Sequence, residues 1–339
     1  MLELTLYKEF PQQLEGEWNE LLDRSASHVP FLRYEYLSSW WHTCGGGEWL
    51  DAELLLITAR KDGVLIGAAP LFYTPNHEEK PALLLVGSIE ISDFLDFLAD
   101  PEDLGLFLSE LLIFLAGDQF PKWETIDLYN ILDSSPTLKI LANTAEKQGW
   151  TSSIEIYKQS PIIYLPGDWE KYLAHIDKKQ RHEIRRKIRR LEENENLSSR
   201  WYYVEDADTL AAEMESFFNL MEKDPQKRIF LTDLMRQTMG QTISCAFERD
   251  CLKLFFLEIN GIKAASMLCF DYEKRLWAYN SGFDDTMNEY SPGWVLLGYV
   301  LRWANENHYE AFDFMRGNET YKYRFGATDR HVMRQTIRR

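Results

Sequence analysis

The sequence predicts an α/β protein with mixed α+β sheets, divided into two domains near residue 160. Three observations carry that reading. Strand pairs and apolar helices alternate along the chain. One hairpin-and-strand pattern occurs twice, in the same order. A stretch with two prolines and a glycine, Lys158–Asp168 (KQSPIIYLPGD), lies between the two copies and marks the boundary. With 339 residues, 45% of them hydrophobic and 14% aromatic, residues 1–160 and 161–339 each have material for a core of their own.

The first half opens on the strand LELTLY. Leu14, Trp18, Leu21 and Leu22 follow at helical spacing after Pro11, predicting a helix over 12–24. A second helix runs from Tyr34 to Cys44 with Tyr36, Leu37, Trp40 and Trp41 on one side, and Gly45, Gly46 and Gly47 stop it. These tryptophans read as core, given the area an indole hides. From Glu53 to Tyr73 comes a hairpin whose Asp62-Gly63 pair supplies a positive-φ turn. Then follow the strand ALLLVG, an apolar helix over 101–115, the strand ETIDLYN, a helix over 135–149 and the strand TSSIEIY. The second half repeats the hairpin at Leu254–Tyr272 around Asn260-Gly261. It also repeats the apolar helix leading to an acidic strand, with EAFDF at Glu310–Phe314 where the first half has ETIDL at Glu124–Leu128. Two copies and no more imply a duplicated domain rather than a solenoid.

Net charge is −17, unevenly spread: residues 1–150 carry 25 acids against nine Lys and Arg, residues 151–339 carry 29 against 28. That balance argues against DNA as a partner and directs any anionic ligand to the second half. Cys44, Cys245, Cys251 and Cys269 are too scattered for a zinc site, and no metal is expected. No apolar run approaches the roughly 20 residues that span a bilayer. The start, MLELTLYKEF, has neither a basic region nor an apolar signal core, so the expected location is the cytoplasm.

Candidate chemistry gathers in three places. The segment Lys178–Arg190 (KKQRHEIRRKIRR) holds eight Lys or Arg and one acid. As a helix it buries Ile184, Ile188 and Leu191 and projects Arg181, Arg185 and its other cations elsewhere. It reads either as a row for phosphate groups or as a solvated helix that balances the acidic first half. The strand RLWAYNSGFDD brings Tyr279, Asn280, Ser281 and Gly282 to one stretch, and a glycine inside a strand marks a bulge or a close approach. Beyond it Ser291 stands as N-cap, Pro292 at the first helical position and Gly293 next, a helix start that attracts anions or serves as an ordinary cap. Lastly Asp313 alternates with Phe312 and Phe314, and Arg316, Tyr321, Lys322 and Arg324 follow within a dozen residues. Such crowding at the carboxyl end of a strand reads as a polar site.

PFLRYEYLSSWW (Pro30–Trp41), IGAAPLFY (Ile66–Tyr73), the RHEIRRKIRRLE helix, and YSPGWVLL through FDFMRGNETYKYRFGA together resemble the GNAT-related acetyltransferases of the CelD/BcsL type, cousins of the FemAB aminoacyl transferases. The resemblance implies two tandem GNAT-like domains packed with a cleft between them, the second carrying the working site. It also implies transfer of an acyl group from a carrier to an amine of a sugar, amino acid or peptide, in cell-envelope or polysaccharide biosynthesis. On that reading Asp313, Tyr321 and Lys322 are catalytic: Asp313 takes the proton of the amine, Tyr321 protonates the leaving group, and Lys322 helps Arg316 and Arg324 orient an anionic part of the ligands. Tyr279, Asn280, Arg316 and Arg324 hold the substrate; Ser291, Gly293, Arg181 and Arg185 hold the donor. One departure matters. Where acetyl-CoA enzymes of the family carry Gln/Arg-x-x-Gly-x-Gly/Ala, this chain has DDTMNEYSPG, with Asp284, Asp285 and Glu289, and keeps only Gly293. Two donors therefore stand, acyl-CoA and an aminoacyl-tRNA gripped by the basic helix, beside a third reading as a binding module that kept the fold without catalysis.

Overall fold

In this computed structural model, which describes residues 2–49, 51–90 and 92–339, the turn residues act as the sequence anticipates. Asp62 and Gly63 take φ of 52° and 83°, and Asn260 and Gly261 take 52° and 75°. Two consecutive positive-φ residues match the right-handed twist of the flanking strands, so each pair closes a hairpin.

The chain forms two compact units: the described residues up to Gln159 together with Arg330–Arg339, and Ser160–Asp329. In the first, β1 (Glu3–Tyr7), α1 (Glu15–Asp23) and α2 (Tyr34–Cys44) lead to β2 (Glu53–Lys61), β3 (Val64–Pro75) and β4 (Pro81–Leu85). After the two-residue β5 (Leu98–Ala99) come α3 (Leu104–Leu115), β6 (Thr125–Leu132), α4 (Pro136–Lys147) and β7 (Thr151–Tyr164). The strands lie in the order β1-β2-β3-β4-β6, antiparallel except for the parallel β4–β6 pair, which α3 connects as a crossover. Val332–Arg338 then pair antiparallel with β6.

The second unit repeats the plan. After α5 (Trp169–His175) and the basic α6 (Lys178–Glu192) come β8 (Ser199–Tyr203), α7 (Ala207–Met221), the short α8 (Pro225–Phe230) and α9 (Asp233–Glu248). Then follow β9 (Leu252–Ile259), β10 (Ile262–Tyr272), β11 (Arg275–Phe283), α10 (Pro292–Glu306), β12 (Ala311–Asp313), α11 (Thr320–Arg324) and β13 (Thr328–Arg338). The order β8-β9-β10-β11-β12 again ends in one parallel pair, β11–β12, and Ile162–Tyr164 of β7 complete the sheet beside β12. The last strand of each copy thus gives residues to the other copy's sheet, the end of β7 to the second and most of β13 to the first. For that reason residues 330–339, which the sequence reading gives to the second domain, lie in the first unit.

The sheet of the second unit has a core on each face. Phe255, Leu257, Met267, Leu296, Val300 and Phe325 belong to the one under α5, α6 and α10. Phe217, Phe218, Met239, Leu254, Phe256 and Leu268 belong to the one under α7 and α9. As expected, α6 buries Ile184, Ile188 and Leu191, each worth about 1.5–3 kcal/mol.

Candidate functional site

The geometry starts with a mismatch of strand lengths. Pairing of β11 with β12 covers only Arg275–Trp277 against Ala311–Asp313, after which β12 stops while β11 runs on to Phe283. The free end of β11 is left without a neighbour on that side. Here lies a cavity of about 610 Å³, lined among others by Ser281, Gly282 and Phe283 of β11 and by Ser291, Gly293 and Trp294 at the start of α10. In the first unit the equivalent opening between β4 and β6 is occupied by the chain itself. Asn130 Nδ2 donates to the carbonyls of Ile89 and Ser92 at 2.8 Å each, and Leu95 N–H donates to the carbonyl of Asn130 at 2.9 Å. Phe94, Leu95 and Phe97 of this segment are buried.

At the α10 start, Ser291 stands in the N-cap position with φ 52°, and its side chain makes no cap hydrogen bond. Pro292 has no N–H, and the amides of Gly293 and Trp294 find no partner among the described residues. The Trp294 indole Nε1 is also buried without a partner, and the Lys187 ammonium lies 4.3 Å from the centre of that ring. Burial lowers the Lys187 pKa, with Arg186 and Arg324 adding to the effect and Glu183 opposing it. Amide and ammonium donors on one wall suit an acceptor-rich anion such as a phosphate, so the residues present fit the phosphate end of a CoA substrate. The acids that the sequence sets against such a ligand are not in the way. Asp284 accepts from the Thr286 amide and pairs with Lys223 at 3.6 Å, and neither it nor Asp285 nor Glu289 lines the cavity.

The opposite wall belongs to the other face of the sheet. Ser266 follows Ala265 and precedes Met267, which both sit in the core under α10, so its side chain points toward α7–α9. Its hydroxyl is buried without a partner. From α8 come Lys227 and its neighbour Gln226, with Asp224 at the cap. Lys227 Nζ donates to the carbonyl of Ser281. Burial lowers its pKa, opposed by Asp224 and Glu319 and reinforced by Lys322. Glu319 and Tyr321 also line the cavity. The Tyr321 residue is 41% exposed, yet protein crowding around its phenol, with the Glu319 charge, raises the pKa and keeps the hydroxyl protonated.

Of the residues the sequence singled out, Tyr321, Ser291 and Gly293 line this cavity together with Ser281, Gly282, Pro292 and Lys187, whereas Asp313, Lys322, Tyr279, Asn280, Arg316, Arg324, Arg181 and Arg185 do not. Asp313 is fully buried in β12, where one carboxylate oxygen accepts from the Met315 amide at 2.9 Å and the other lies 3.7 Å from Arg275. Its counterpart in the repeat, Asp127, is equally buried and is bound by Arg334 and Asn76. An acid that recurs in both copies, always paired inside, is an architectural residue. Lys322 is 3% exposed and donates to the carbonyls of Phe314, Arg316 and Gly317 at 2.9–3.1 Å, pinning the loop after β12. Tyr279 packs edge-on to Phe270, and the Asn280 side chain accepts from the Ser281 amide. Arg324 lines a separate groove with Asp177, Lys178 and Glu183. Arg185 pairs with Glu170 and lines a hollow of about 390 Å³ with Trp169, His182 and Arg189. Arg181 lies 3.4 Å from the carbonyls of Leu173 and Ala174. Gly282 does mark a close approach, but to protein: a Cβ there would lie 2.4 Å from the carbonyl carbon of Leu220.

Ser266, Asp224 and Lys227 escape the sequence reading. Asp224-Pro225 does carry a helix-start signal, a capping acid before a proline at the first helical position. Ser266 sits among apolar strand residues with nothing to distinguish it.

Residues 178–323 match the family of acetyltransferase (GNAT) domains. No curated protein matches the chain significantly. Among solved structures, the crystal structure of FemX is similar at 10% identity and a TM-score of 0.67, over 98% of this chain and 96% of that one. A conserved protein of unknown function from Bacteroides thetaiotaomicron is similar at 10% identity and a TM-score of 0.61, over 99% and 100%. The carboxyl-terminal domain of a protein described as a lysylphosphatidylglycerol synthetase, from Agrobacterium fabrum, is similar at 10% identity and a TM-score of 0.56, over 97% and 92%. The chain therefore has a mixed α/β fold of two tandem GNAT-like domains, the second bearing the match to the acetyltransferase domain. Among the described residues no helix is long and apolar enough to cross a membrane.

Proposed function

We propose that the second unit is a GNAT-type acyltransferase of the CelD/BcsL kind. It moves an acyl group from acyl-CoA to an amine of a sugar, amino acid or peptide, in the cytoplasm and in the service of envelope or polysaccharide synthesis. One observation supports this above all. The free edge of β11, the uncapped start of α10 and the residues Ser266 and Trp294, whose Oγ and Nε1 are buried without partners, line one cavity. On this reading the donor's phosphates lie at the amides of Gly293 and Trp294 beside Lys187, and its acyl end lies against Ser281–Phe283, where backbone groups polarise the carbonyl. The acceptor enters from the α8 side. Its amine attacks the carbonyl carbon, the C–S bond breaks, and the leaving thiolate takes a proton from the Tyr321 hydroxyl. Glu319, a carboxylate of the cavity wall, takes the proton that the amine gives up. Asp313, enclosed in β12, has no part in the reaction.

A second donor has one observation in its favour: α6 carries eight cations over 178–190, with grooves along it lined by Lys178, Lys179, Arg185 and Arg189. This row suits the phosphates of an aminoacyl-tRNA. The test is release of free CoA from acetyl-CoA on addition of amino sugars, amino acids and small peptides. Release is expected with at least one amine, and Tyr321→Phe is expected to lower it about 10²-fold or more. If no amine releases CoA while charged tRNA donates its aminoacyl group, the donor is the second one. If neither transfers, the chain is a binding module.

A further inference from the structure

Resting on the reading of the cavity as an acyl-donor site, we propose that Lys227 is itself an acyl acceptor, a self-acetylation site on the wall of that cavity. None of the six residues of α8 is buried. The helix is fixed at its start, where Asp224 Oδ1 accepts from the amides of Gln226 and Lys227 at 2.8 and 3.3 Å. Yet Lys227 turns inward and bonds the carbonyl of Ser281. That carbonyl lies on the free end of β11, along which the donor's acyl group is read to lie, so the lysine amine stands where an acceptor amine must stand. The other lysine of the cavity, Lys187, lies over Trp294 beside the helix start, at the phosphate end.

The chemistry balances without any further reactant. The neutral Nζ attacks the thioester carbonyl carbon, the N–C bond forms as the C–S bond breaks, and the proton released from nitrogen goes to the thiolate. The products are Nε-acetyl-lysine and free CoA. Burial lowers the amine's pKa and so enlarges its neutral fraction at a given pH, against the pull of Asp224 and Glu319. Acetylation turns a cationic wall neutral and fills the acceptor side of the cavity.

The experiment incubates the whole chain with acetyl-CoA alone and reads intact mass and peptide maps, with calorimetric binding of acetyl-CoA measured in parallel. The expected result is one acetyl group per chain, at Lys227. It should be absent from Lys227→Arg and retained in Lys139→Arg, a control on the exposed face of α4. Binding without an adduct, or with adducts spread over surface lysines, overturns the self-acetylation and leaves the donor site standing. Absence of binding overturns both.

Discussion

Lys322 illustrates how a charged residue in a suggestive place acquires a different office once its surroundings are known. The ammonium is nearly enclosed and satisfies three carbonyls of the loop 314–317, besides pairing with Glu319 at 2.8 Å. Hydrogen bonds to a charged group contribute more than neutral ones, and carbonyls left buried without donors carry a penalty of their own. Lys322→Met is therefore expected to lower unfolding free energy by about 2–4 kcal/mol in a denaturant titration. A variant as stable as the parent but inactive would return Lys322 to the chemistry. Asp313 follows the same logic. Its place in a strand of alternating residues was legible, and so was its recurrence as Asp127. Whether such an acid faces a ligand or a buried partner depends on Arg275 and Arg334, residues remote in sequence from the acids they meet.

At the scale of the element, the hairpins, the apolar helices and the basic amphipathic helix were legible, because periodicity and turn residues act over a few positions. The stretch from β8 to α9 was not. Its helices mix apolar and charged residues, and α8 has no apolar face buried. The cavity wall that α8 supplies therefore went unread, although it brings the inward-turned Lys227. Gly282 couples this region to the sheet. Because a Cβ there would stand 2.4 Å from Leu220 C and 2.5 Å from Met221 N, both backbone atoms, Gly282→Ala must displace the end of α7 just ahead of α8. The expected cost is about 1–3 kcal/mol, read as a lower melting temperature together with weakened acetyl-CoA binding. Unchanged stability would mean that α7 yields freely.

For the whole molecule, the duplication inferred from two hairpins and two acidic strands is real in topology, since both sheets run in the same strand order with one parallel pair each. The exchange of terminal strands could not be read from pattern, because β-strand periodicity says which face is buried and not which neighbour is paired. It has a consequence for stability. Arg334 of β13 binds both oxygens of the buried Asp127 at 2.8 Å, so Arg334→Met leaves that carboxylate without a cationic partner, held only by neutral groups such as Asn76 and Tyr129. The expected loss is about 3–5 kcal/mol, and removal of residues 330–339 should unfold the first unit outright, as read by circular dichroism and protease resistance. A truncated chain with a native first unit would contradict the exchange.

The central claim, that the cavity at the free end of β11 is an acyl-donor site built on the start of α10, is tested most directly by calorimetric titration of the chain with acetyl-CoA. The account predicts saturable binding at one site per chain, abolished in Gly293→Glu, which sets a carboxylate among the free amides. No binding, or binding that survives this substitution unchanged, would contradict it.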